Sequence, residues 1–360
     1  MPPTLRRAPL LALALLTMLW GTWLGLARLG WALPLPASDD VLWHGPLLVG
    51  GFFGTLITLE RAVAIGTGWS YAGPVLTAAG AVLLATGSPS AGALAITTGS
   101  VVLVAGASVI AARRQTAPAW TAVAGAAVWL SGNVQWLRGA AVYEVAYWWA
   151  GFLVLTIAGT RLGRIRQVSL TSPTKGAAAW LSAGLLFLIA GLLLSTVAPD
   201  AGVRALGAGL ILLAAWLVRF DTAPRTAHQS GLDGYMAVGI LAAYTWLAAG
   251  GLMAMAFGGV TIGPRYDAVL HAVLLGFVLS MVFVHAPLVF PTILGLPLPY
   301  RPAFYAHLAL LHVSLVLRVM GDLVPEFTML RAWGALLNAV AIVLFVANTV
   351  RSALLASRGE

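Results

Sequence analysis

From Ala8 onward the chain returns repeatedly to apolar runs, parted only by short breaks of Gly, Pro and charge. Twelve such runs can be marked: Ala8–Gly30, Val41–Gly66, Tyr71–Gly87, Gly92–Ala112, Ala119–Gly139, Val142–Gly163, Gly176–Ala198, Ala201–Phe220, Leu232–Gly258, Tyr266–Leu294, Ala303–Leu323 and Phe327–Leu355. A bilayer's hydrocarbon core takes roughly 20 helical residues to cross. Inside it, every peptide group must find its partner within protein, which leaves helices as the form for spans of this kind. The pattern predicts an all-α polytopic membrane protein of about twelve transmembrane helices, a single integral-membrane domain over residues 1–360. The longest connection, 164–175, leaves no room for a soluble domain.

Composition agrees. Hydrophobic residues make up 60% and charged residues 9%, against roughly 25% charged in soluble domains. The chain has no cysteine, which excludes disulfides, thiolate metal ligands and iron–sulfur clusters. Any metal must be held by His, Met or carboxylate. The N-terminal LRRAPLLALALLTMLWGTWLGLARLGW reads as the first span, because its apolar run is about twice a signal-peptide core of roughly 7–15 residues.

The net charge of +9 does not point to nucleic acid, since the basic residues sit in short loops without a run of five. They set topology instead. With the N-terminus cytoplasmic, fourteen fall on the inner side (Arg6, Arg7, Arg61, Arg113, Arg114, Arg161, Arg164, Arg166, Lys175, Arg219, Arg225, Arg301, Arg351, Arg358). Six (Arg28, Arg138, Arg204, Arg265, Arg318, Arg331) remain outside. Positive-inside asymmetry therefore predicts both termini in the cytoplasm and a multi-pass protein of the inner (plasma) membrane. Spans three, four, seven and eight are rich in Gly and Ala, as close helix packing requires. No internal repeat is evident. Trp120, Trp136, Trp148 and Trp149 fall near span ends, where an aromatic belt belongs.

Imidazoles inside a bilayer are costly and mark cavities, partners or metals. Four of the six histidines lie between Pro264 and Asp322. A fifth, His44, opens the second span, and the sixth, His228, lies in an inner loop with no expected role. The topology puts His44 and His271 at similar depth near the outer face. His285 comes fourteen residues after His271, about 21 Å along an ideal helix and about 40° around it, so one face would present both. His307 enters from the inside at a depth near His285, and His312 lies about 140° further round its helix. Neutral imidazole binds haem iron, copper and zinc. The expected sites are thus an outer centre, His44 with His271, and an inner one, His285 with His307 or His312. Met281, one turn before His285, is a candidate thioether ligand.

The remaining polar residues near the outer side are Asn133, Gln135, Arg138, Tyr143 and Glu144, and also Arg265, Asp267, Arg318 and Asp322. Arg138 and Arg318 suit haem propionates, being bidentate and permanently charged. Gly50, Gly51 and Gly54 come after His44 and admit either a macrocycle or a neighbouring helix.

The segments WHGPLLVGGFFGTL and HAVLLGFVLSMVFVHAP resemble the NnrS family, twelve-span membrane proteins containing haem and copper and tied to the nitric oxide response. More distantly, the layout is similar to the catalytic subunit of haem-copper oxidases. There, a His-Gly on span two and a His on span ten clamp a low-spin haem, and His44 and His271 match in order and span number. The chain departs from these patterns. Span six has no His and span seven no His-His pair, so the oxidases' three-histidine copper site is missing. The NnrS WHAHEM-type motif is reduced to Trp43-His44-Gly45-Pro46. The resemblance implies a membrane haem-dependent oxidoreductase or electron-transfer protein holding one or two haem b groups, copper alongside, and a small gaseous or redox ligand. The alternative is a secondary transporter or channel using its intramembrane histidines for proton or substrate coupling. For that reading, Pro287 and Pro291 are expected to break span ten.

Overall fold

The computed structural model describes residues 7–168 and 174–357. Arg6 and Arg358, counted above for topology, and the centre of the 164–175 connection lie outside the described residues. Among those described there is helix and no strand. Twelve long helical passages succeed one another: α1 (Ala8–Arg28), α2 (Asp40–Ile65), α3 (Gly68–Ala85), α4 (Pro89–Arg114), α5 (Ala117–Leu137), α6 (Val142–Val168), α7 (Lys175–Ser195), α8 (Pro199–Phe220), α9 (Gly231–Phe257), α10 (Pro264–Leu294), α11 (Phe304–Leu323) and α12 (Thr328–Ser357). Eleven are long and apolar enough to cross a membrane. The other, α5, has 21 residues and carries Ser131, Asn133 and Gln135. The chain is an all-α polytopic membrane protein.

Local chemistry sets the ends. Pro89, Pro199 and Pro264 open α4, α8 and α10, where a missing N–H is harmless and the fixed φ suits the first turn. The Thr174 hydroxyl caps α7 by accepting from the Ala177 N–H at 3.2 Å. Gly66, at φ +74°, stops α2 in the left-handed conformation that only glycine adopts freely.

The chain divides into two compact units. The first comprises the chain through Phe152, with Pro287–Pro299 and the segment from Val346; the second comprises Leu153–Ala286 and Tyr300–Phe345. In the first unit, Trp129 is fully buried and stacks on Phe152 at 4.7 Å. In the second, Trp216, Tyr235, Tyr244, Phe277, Phe283 and Phe345 are the large, fully buried side chains.

Glycines spaced by seven, hence two turns apart on one helix face, build a similar hairpin in each unit. Gly80 on α3 meets Gly92 on α4, and a Cβ on either would lie 2.8 Å from the other's carbonyl oxygen. Gly73 and Gly99 face each other two turns away. In the second unit Gly191 on α7 meets Gly202 on α8, again 2.8 Å from Cβ to carbonyl, and Gly184 meets Gly209. The recurrence lies in the spacing of small residues rather than in sequence identity, which is why no repeat is evident in the letters.

Three expectations change. Trp136, Trp148 and Trp149 are buried, with 9%, 5% and 3% exposure, and only Trp120, at 49%, fits an interfacial belt. Pro287 and Pro291 do not break α10, which continues through both to Leu294. Pro287 offers no N–H to the Phe283 carbonyl, and the Tyr235 hydroxyl lies 3.3 Å from that oxygen in its place, the kind of side-chain rescue that lets proline stand in membrane helices. Third, α2 and α10 are not uniform α-helices. Leu47–Phe53 and Ala272–Leu279 are π-helical.

The α7–α8 contact is backbone against backbone, and a Cβ on Gly202 would collide with the main chain of Ser195. Gly202→Ala is therefore expected to lower stability by about 1–3 kcal/mol, as overpacking does. Gly176→Ala, with open space around it, should be neutral or better. Thermal unfolding of detergent-solubilised protein distinguishes the two.

Candidate functional site

His44 is placed by α1 and α2 of the first unit. Its ring lies on the α1 backbone, with Nδ1 2.7 Å from the Gly21 carbonyl oxygen. One turn on, Gly25 leaves the room the ring needs, since a Cβ there would stand 2.6 Å from both Cε1 and Nδ1. A carbonyl can only accept, so Nδ1 carries the proton and the lone pair belongs to Nε2. This is the arrangement of metal-binding histidines, whose other ring nitrogen donates to a carbonyl or carboxylate. The π-helical stretch begins three residues later, at Leu47, and such insertions recur at functional sites.

His271 ends the α-helical part of α10 in the second unit, and the π-helical stretch starts at the next residue. Its Nδ1 is 2.8 Å from the Asp267 carbonyl oxygen and 3.3 Å from Asp267 Oδ1. Nδ1 is again the donor and Nε2 the lone-pair nitrogen. Asp267 Oδ2 accepts from Arg318 Nε at 3.2 Å and Nη2 at 2.8 Å, and Arg331 stands 3.8 Å away. Arg331 also pairs with Asp322 at 2.7 Å. Two carboxylates and two guanidiniums thus gather beside the imidazole. Arg318 is found in the His271 cluster, with Asp267 as its partner. Arg138 caps the end of α5 in the first unit and is exposed.

The inner histidines are wired differently. The α-helical phase that puts His271 and His285 on one face fails, because the π-helical stretch between them inserts about one residue and turns the rest of the helix by about 100°. His285 Nδ1 lies 2.8 Å from the Met281 carbonyl, and Nε2 lies 3.3 Å from Arg161 Nη1. Guanidinium can only donate, so the His285 lone pair is already used. His312 Nδ1 accepts the Trp246 indole N–H at 3.1 Å, which puts the neutral ring's proton on Nε2. His307, 1% exposed, has Nε2 3.2 Å from the Tyr235 hydroxyl and sits among Phe283, Phe304 and Phe345, with ring centroids at 5.0, 5.5 and 5.5 Å. Met281 is buried, 2% exposed. No group of three or more His, Cys, Asp or Glu able to hold a metal occurs among the described residues. The ring tautomers assign the lone pair to Nε2 in His44 and in His271, each within its own unit, whereas the lone pairs of His285 and His312 are engaged by Arg161 and Trp246.

Sequence reasoning missed a buried ion pair of the second unit. Arg161, counted above as an inner-loop charge, is 5% exposed. It grips Asp221 with two bonds, Nε to Oδ2 at 2.9 Å and Nη2 to Oδ1 at 2.6 Å. The Tyr244 hydroxyl donates to Oδ2 at 2.6 Å, and the Ala223 N–H to Oδ1 at 3.1 Å. With His285 on Nη1, this closes a buried quartet of Arg161, Asp221, Tyr244 and His285. The available signal was a lone Asp directly after an apolar span. Burial by itself would push the Asp221 carboxyl up, but Arg161, Tyr244 and the Ala223 N–H outweigh it and hold the group below the usual carboxylate range.

The outer polar residues of the first unit do not gather into a site. Asn133 accepts from the Trp149 indole at 2.9 Å, Gln135 donates to Ser131, and Glu144 accepts from the Ala141 N–H. Gly50, Gly51 and Gly54 serve helix packing, against Ile96, Ala81 and Trp129. His228 is exposed.

Removing one member of a buried ion pair leaves the other charge uncompensated, at about 3–5 kcal/mol. Asp221→Asn and Arg161→Met are each expected to destabilise by that order, and the R161M/D221L double variant by much less than their sum. Because the folded pKa of Asp221 is depressed, its contribution is full at neutral pH and fades only as pH falls below the ~3.9 of an unfolded aspartate. Unfolding measured at pH 7 and pH 4 tests both points.

A model for one protein family, described as a domain of unknown function (DUF8744), matches residues 7–354. No curated protein matches the chain.

Proposed function

We propose that this chain, which belongs to the DUF8744 family, is a multi-pass membrane haem protein, and that His44 and His271 are each candidate nitrogen ligands. One observation carries the reading. Both imidazoles hold their Nδ1 proton on a backbone carbonyl, which assigns the lone pair of each neutral ring to Nε2, and a π-helical stretch begins within three residues of each. The resemblance to NnrS and, more distantly, to haem-copper oxidases supports the same pair. Two neutral nitrogen ligands and no thiolate suit low-spin b-type haem. The group supplies a one-electron couple when bound. The role is electron transfer or the handling of nitric oxide or a similar small ligand, as an oxidoreductase or its partner. Copper belongs to the resemblance. Of the cofactor sites expected from the sequence, the outer one is retained, and a second haem or metal at the inner histidines is not proposed.

The setting is the plasma membrane, with both termini cytoplasmic. The charge asymmetry behind that orientation survives setting aside Arg161 and Arg318, which are buried.

Purified protein is expected to show a Soret band, with low-spin α and β bands after dithionite reduction. His44→Ala and His271→Ala should each abolish or convert the low-spin spectrum. His285→Ala, His312→Ala and His228→Ala should retain it with unchanged haem per chain. A parent protein with neither a Soret band nor bound iron would end this reading.

A further inference from the structure

The quartet around Arg161 does not use the whole guanidinium. That group has five N–H donors and no acceptor. Asp221 takes one from Nε and one from Nη2, at 2.9 and 2.6 Å, and His285 takes one from Nη1 at 3.3 Å. Nη1 and Nη2 each keep one further N–H that no protein group accepts among the described residues. Both lie on edges of the guanidinium plane that Asp221 does not hold. The Asp221 side chain is sealed at 0% exposure, while Arg161 keeps 6%. The surroundings also carry more positive charge than Asp221 offsets. Arg164 follows one turn later on α6, near enough for its charge to bear on His285. Arg164, Arg166, Arg219 and Arg225 are exposed where α6 and α8 end and the chain turns toward α9, with Asp233 as the exposed acid there.

We propose that Arg161 is the floor of a binding site, confined to the second unit, for one small soluble carboxylate or planar oxyanion that accepts the two remaining N–H groups. The site does not depend on the haem reading. A guanidinium is permanently charged, and its paired N–H groups match the oxygens of such an anion. An arginine held inside a membrane helix marks an ion or substrate path more often than it marks packing. Asp221, braced by the Tyr244 hydroxyl and the Ala223 N–H, fixes the guanidinium plane from one edge, so the remaining donors are ordered before the guest arrives. The exposed arginines at that end of the unit draw anions toward it. The charge of Asp221 opposes the guest across the guanidinium, which keeps binding reversible.

The experiment is a calorimetric titration of the full-length protein in neutral detergent with sodium formate and with sodium nitrate, against sodium chloride at matched ionic strength. Saturable binding of one formate or nitrate per chain is expected, with chloride weaker because it has no second oxygen to bridge two donors. Arg161→Lys keeps the charge and loses the planar fork, and should weaken binding about tenfold or more, as loss of a charge-assisted hydrogen bond does. The R161M/D221L variant removes charge and counter-charge together and should abolish binding. Should either variant not fold, the other decides alone. Arg166→Gln removes an exposed, screened charge at the same end and should keep affinity within about twofold. A parent without saturable binding overturns the site. So does binding that persists in the Arg161 variants, which places the anion on the exposed arginines. In phosphatidylcholine nanodiscs, added phosphatidylglycerol should leave formate affinity unchanged. Competition there assigns the donors to a lipid phosphate and overturns the soluble ligand.

Discussion

Inside a bilayer a donor cannot fall back on water, so a buried N–H left without an acceptor within protein is costly. That constraint decides the chemistry of the histidines. A neutral imidazole has one donor and one lone pair, and whichever neighbour claims one nitrogen dictates the role of the other. Gly21 and Asp267 offer oxygens to Nδ1 of His44 and His271, which keeps the basic lone pair on Nε2. Arg161 and Trp246 offer N–H groups to His285 and His312, and those lone pairs are consumed. Burial alone does not assign a histidine's tautomer. The polarity of the neighbour does.

The helical spans were legible in the sequence because hydropathy over twenty residues is a strong, local signal. The positions of His44 near the start of α2 and His271 near the start of α10 were legible for the same reason. What failed was phase. Counting at 100° per residue assumes a uniform α-helix, and Ala272–Leu279 is not one. No residue in AVLLGFVL announces the change. Gly276 marks it only in retrospect, because Trp246 of α9 packs where its side chain would be. The quartet around Asp221 was hidden by a different cause. Arg161 sits where a loop arginine is expected, and only the tertiary meeting of α6 with the start of Ala223–Thr226 shows it to be buried.

Small residues do two separate jobs that sequence cannot tell apart. Gly191 and Gly202 bring two backbones together, and Gly80 and Gly92 repeat the device. Gly25 belongs to the same chemical class, yet what it admits is an imidazole. The GTWLG of α1 reads as a helix-packing motif in isolation. It seats the His44 ring because Gly25 leaves room for the imidazole and the Gly21 carbonyl is within reach of Nδ1.

Two buried arginine–aspartate pairs in the second unit show how one interaction can serve opposite ends. In the Asp267 pair the carboxylate touches the histidine, and the arginine stands behind it. In the Asp221 pair the arginine touches the histidine, and the carboxylate stands behind. Both pairs satisfy buried charge equally well. The first adds electron density to its imidazole at Nδ1, and the second withdraws the lone pair at Nε2. The order of the same three groups therefore assigns the lone pair of the neutral His271 ring to Nε2 and engages that of His285 with Arg161.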